Sequence, residues 1–118
     1  MSYNFNNDIP IYLQIVDIIT NEIINGKLKS GDKIPSVREY ASIFKANPNT
    51  VSKALEILED KSLIYTERTN GKYITSDLEL INSYKKEVFD KRVYSFLTEL
   101  KNMGYNKDEI IKKINEVE

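Results

Sequence analysis

The chain has 118 residues, a formal net charge of −1, and neither Cys nor His. A disulfide framework is therefore excluded, and so are the usual zinc sites and any catalytic triad built on His or Cys. No run of about 18 apolar residues is present, and Met1-Ser-Tyr-Asn-Phe-Asn-Asn-Asp8 lacks the basic start and apolar core of a signal peptide. The expectation is a cytoplasmic globular protein with no membrane partner, no cofactor and no metal.

All four Gly and all three Pro fall where elements should begin or end. Pro10 suits a first helical turn, where its missing N–H costs nothing. Tyr12, Ile15, Val16, Ile19 and Ile23 then recur at helical spacing, and Gly26 offers a left-handed cap. The first helix is predicted over residues 11–25. Residues 27–35 read as a turn-rich connector, with Ile34 extended ahead of Pro35. Ser36 and Glu39 form a capping box. A short second helix follows, with Val37, Tyr40, Ala41 and Phe44 as its buried stripe, ending near Lys45.

Asn47-Pro48 opens a third helix, Asn as cap and Pro at its first position. Its apolar face is Val51, Ala54, Leu55 and Leu58; Asn49, Ser52 and Lys53 lie opposite. The stretch 62–68 has strand propensity, Asn70-Gly71 signals a hairpin turn, and 72–75 returns as the second strand. Ser76-Asp77 caps a long fourth helix that stops at Gly104. Asn106 and Glu109 start a short fifth helix lined by Ile110, Ile114 and Val117.

This order predicts a mainly α, α+β chain in two parts. Residues 1–75 form a winged helix-turn-helix of three helices plus a β-hairpin wing. Residues 76–118 form a two-helix tail. Tyr84, Val88, Phe89, Val93, Phe96, Leu97 and Leu100 give the tail an apolar stripe that must be covered. It packs either on the winged helix or against a second copy. A homodimer also suits DNA, because two recognition helices about one turn of DNA apart match a palindromic site.

Global charge carries no signal for nucleic acid, but local charge does. From Lys27 to Lys53 there are six basic residues and two acidic ones. A solvated surface explains such a patch; so does a phosphate footprint. The polar start of the third helix favours the second reading. Asn49 can reach base edges, Thr50 and Ser52 phosphates or bases, and Lys53 a phosphate. Arg38 is long enough to enter the same groove. The wing tip at Asn70-Gly71, flanked by Arg68 and Lys72, would lie along the backbone or the minor groove. The partner is then double-stranded operator DNA. Asn47 reads first as a cap, and Asn70-Gly71 first as a turn.

Ile11-Tyr-Leu-Gln-Ile15, Gly31-Asp-Lys-Ile-Pro-Ser-Val-Arg-Glu39, Asn47-Pro-Asn-Thr-Val51, Lys53-Ala-Leu55 and Leu58-Glu59 resemble the GntR family of bacterial regulators. The two segments Pro35–Glu39 and Asn47–Val51 are similar to its YtrA-like subfamily. The resemblance implies DNA contacts from Arg38, Asn47, Asn49 and Thr50, and a minor-groove approach at Gly71. It implies a short helical dimerisation tail and a repressor of its own, transporter-linked operon. Pro48 and Ser52 stand where many members carry guanine-reading arginines, so a site richer in A·T contacts is expected.

Two other classes compete with this one. A winged helix can serve as a protein–protein module without specific DNA binding. An enzyme finds no support: Glu59/Asp60 and Asp108/Glu109 are adjacent on helices and diverge, and there is no phosphate-cradling glycine loop. The sequence names no small-molecule effector. Tyr84, Phe89, Tyr94 and Phe96 could line a small apolar pocket, but such clusters are more often core.

Overall fold

A computed structural model describes residues 3–118. Its elements are α1 (Ile11–Ile24), α2 (Val37–Phe44), α3 (Pro48–Asp60), β1 (Ile64–Glu67), β2 (Gly71–Ile74), α4 (Leu78–Asn102) and α5 (Lys107–Glu116). The chain forms two compact units, residues 1–82 and 83–118, and the division falls within α4.

The first unit is built on α3. Val51, Ala54, Leu55 and Leu58 are buried on one side of it. They face chiefly α1, whose Ile15, Val16, Ile19 and Ile23 recur at the same helical spacing. Burying one such side chain contributes about 1.5–3 kcal/mol relative to leaving it in water. Tyr40 and Phe44 fill the space under α2, Leu63, Ile64 and Ile74 bring in the hairpin, and Ile34 closes the edge.

The helix ends follow the local signals. At α2 the Ser36 side chain accepts from the Glu39 N–H at 3.1 Å, and the Glu39 carboxylate accepts from the Ser36 N–H at 3.0 Å. Asn106 and Glu109 repeat this box at α5. Asp77 caps the start of α4 by accepting from the Leu80 N–H at 3.1 Å.

The wing differs from its sequence reading in two respects. The strand bounds read from the sequence leave residues 69–71 as the loop, and the observed loop starts one residue earlier. Glu67 pairs with Gly71, so the loop is Arg68-Thr69-Asn70, closed by the Asn70 N–H donating to the Glu67 carbonyl at 3.2 Å. Gly71 then takes φ +98, a left-handed position that glycine adopts without strain. Secondly, the connector before Pro35 joins the sheet. Lys33 bridges to Tyr73; the Ile34 N–H donates to the Lys72 carbonyl at 2.9 Å, and the Ile74 N–H to the Asp32 carbonyl at 2.8 Å. The wing remains a two-stranded sheet, with the connector held to the open edge of β2 by this isolated bridge.

Ahead of α1, residues 3–9 form an arm that the helical periodicity does not announce. The Tyr3 ring meets Phe44 edge-on at 4.8 Å, and Phe5 lies 6.3 Å from the same ring. The Gln14 amide donates to the carbonyls of Asn6 and Ile9, both at 2.7 Å, and its oxygen accepts from the Asn6 N–H at 2.8 Å. One glutamine thus fixes the arm to α1.

Candidate nucleic-acid interface

The helix-turn-helix is α2, the three-residue turn Lys45-Ala46-Asn47, and α3. Asn47 accepts from the Asn49 N–H at 2.8 Å through Oδ1. It is thus the cap, and only its Nδ2 group is left to reach outward. Asn49 and Ser52 are exposed, and Thr50 is half-buried. The opposite side of α3 is entirely within the core. Arg38 is exposed in the first turn of α2.

Lys45 is exposed too, at φ 53 in the left-handed region. That conformation costs a non-glycine residue roughly 1–2 kcal/mol. The sequence reading counted this lysine in the basic window and gave it no role.

Two lysines expected at DNA are engaged inside the protein. The Lys53 Nζ sits 4.1 Å above the centre of the Tyr12 ring, a cation–π contact between α3 and α1. Lys72 turns away from the wing's outer face. Strand alternation puts it on the same side as Ile74, which is buried against the helices. Its ammonium pairs with Glu59 of α3 and donates to the Thr66 hydroxyl at 2.8 Å; Thr66 in turn donates to Glu59. The Lys72 hydrogen bond, followed by that from Thr66, holds the Glu59 carboxyl below its ordinary value of 4.5. Of the expected wing contacts, Arg68, Asn70 and Gly71 remain exposed at the tip.

The outer face of the wing carries Tyr65 and Tyr73, paired across the strands and stacked with centroids 5.8 Å apart. Beyond Tyr73, the aliphatic end of Lys33 crosses Gly71. A Cβ at Gly71 would stand 3.2 Å from Lys33 Cε.

In the second unit the expected stripe is largely uncovered in the single chain. Phe89 is 65% exposed, Phe96 46% and Val93 40%. Val88, Leu97 and Leu100 are half-buried, as is Tyr84. Ile110 is buried, whereas Ile114 and Val117 are exposed. A groove of about 500 Å³ runs between the end of α4 and α5, lined by Phe96, Leu100, Tyr105, Ile110 and Ile114 among others.

Residues 11–74 match the model of the family described as bacterial regulatory proteins, gntR family. The chain belongs to the GntR family. Among curated GntR relatives, it is 50% identical over 68 residues to the HTH-type transcriptional repressor YtrA of Bacillus subtilis, a stretch covering 58% of this chain and 52% of YtrA. A solved GntR family transcriptional regulator from Listeria monocytogenes superposes with a TM-score of 0.89 at 38% identity, over 97% of this chain and all of that one. The AraR DNA-binding domain, solved in complex with operator ORX1, superposes with a TM-score of 0.55 at 25% identity, over 64% of this chain and 92% of that one. The YtrA-like resemblance and the winged helix with C-terminal helices are thereby established. Members of this GntR set are transcriptional regulators, and at least one is seen on operator DNA. No helix among the described residues is long and apolar enough to cross a membrane.

Proposed function

We propose that this chain is a dimeric repressor that binds a palindromic operator at its own promoter. The observation that carries the reading is α3. One side of this helix is wholly committed to the core, while Asn49 and Ser52 are exposed at its start and a basic turn precedes it. Such a helix end fits the major groove, and its N–H groups favour a nearby phosphate. Arg38, Asn47, Asn49, Thr50 and Ser52 are the proposed contacts from the helices. Arg68, Asn70 and Gly71 are those from the wing tip. Lys53 and Lys72 join only by leaving Tyr12 and Glu59.

Two features support the dimer. The uncovered Phe89, Val93 and Phe96 form an apolar surface of the kind that marks an interface, and a two-fold pair of recognition helices reads a palindrome. A transporter operon is proposed as the regulated target, and the chain is proposed to act in the cytoplasm.

Footprinting the full chain on its own promoter tests this. The expected result is a protected two-fold site whose affinity falls steeply with salt. Absence of a footprint, with a protein partner bound through the wing or α3 instead, would replace the reading with that of a protein–protein module.

A further inference from the structure

The sheet that carries the wing has two faces, and its charges divide between them. Ile64, Thr66, Lys72 and Ile74 share the face toward α3, where Glu59 neutralises Lys72. Lys33, Tyr73, Gly71, Tyr65 and Glu67 share the outer face. Lys33 reaches that face because the connector bridges to β2, with Lys33 opposite Tyr73. Its stem then runs toward the wing tip and crosses the bare α-carbon of Gly71. No ion pair holds its ammonium among the described residues, although Glu39 is close enough to feel the charge. Glu67 lies across from Gly71 on the same face and is not paired with Lys33.

We propose that Lys33 is a phosphate-binding cation of the wing alongside Arg68 at the tip, the role that its sequence position next to the tip would have given to Lys72. The glycine at 71 then has a second use besides its positive φ. A Cβ there would crowd the Lys33 stem at 3.2 Å, so the stem would have to shift slightly. The inference rests on the DNA-binding reading and adds to it a contact from a segment that precedes the helix-turn-helix.

The test is the salt dependence of binding to a duplex carrying the chain's own promoter. Lys33→Met keeps the aliphatic stem over Gly71 and removes the charge. It is expected to leave the thermal midpoint unchanged and to lower the magnitude of the slope of log K against log[salt] by about 0.9 per lysine removed, twice that for a dimer on two half-sites. Lys33→Arg should restore the slope. Lys72→Met should leave it near the unsubstituted value. An unchanged slope for K33M, while Arg38→Ala weakens binding, overturns the role of Lys33 and leaves the DNA reading standing. A slope lost in K72M but kept in K33M overturns it equally. Failure of the unsubstituted protein to bind the duplex overturns the DNA reading itself, and this inference with it.

Discussion

At the scale of single residues, charges are committed by their neighbours. Glu59 is the clearest case. Its folded pKa lies below 4.5, so its ionised contribution to stability is present above that value and is lost as pH falls through the lowered one. Glu59→Gln should therefore flatten the acid side of the stability curve, read as denaturation midpoints from neutral to acid pH. Identical curves for the two proteins would show that the Lys72 pair does nothing for the wing. Lys45 makes the opposite case. It occupies a left-handed position that glycine fills without strain. Lys45→Gly is expected to leave stability unchanged or raise it by up to about 1 kcal/mol, while DNA affinity falls. If affinity is retained, the charge at 45 is idle. What was legible here was local: both capping boxes, the Asn47 cap and the Pro48 start need only a few consecutive residues. The engagement of Lys53 by Tyr12 was not, since the two are far apart in sequence and meet only when α1 packs on α3.

At the scale of elements, the wing shows how a one-residue shift of a loop places a glycine. The strand bounds read from the sequence leave 69–71 between the strands, whereas the observed register puts Arg68, Thr69 and Asn70 at the apex and Gly71, at φ +98, in the ladder beside Lys72. The side that Lys72 faces was readable, since it stands two residues from the apolar Ile74. The bridge at Lys33 was not, because residues 32–34 carry turn residues and join the sheet edge through backbone groups. Gly71→Ala should expose this architecture. It meets both the positive φ and the Lys33 stem, so a cost of about 1–2 kcal/mol is expected, together with weaker binding. Circular dichroism melts and DNA titration measure the two separately. A variant as stable as the parent would mean that this position tolerates a side chain.

At the scale of the whole molecule, the first unit has a closed core and the second does not. Helical periodicity made the tail's stripe legible along α4, but what covers it depends on a surface that the sequence alone does not name. A charged residue on that stripe tests the dimer. Phe96→Asp is expected to give monomers in sedimentation, with operator affinity sharply reduced and the helix content of the first unit retained. An unchanged sedimentation coefficient would sink the tail as an interface.

The arm ahead of α1 has a practical consequence. Tyr3 and Phe5 rest on Phe44, the last residue of α2, one position before the turn that sets the recognition helix. An affinity tag fused upstream of Tyr3 therefore enters beside the aromatic contact that seats the helix-turn-helix. Protein for DNA titration is better tagged after Glu118. A discrepancy between N- and C-terminally tagged proteins would report on the arm, not on the operator.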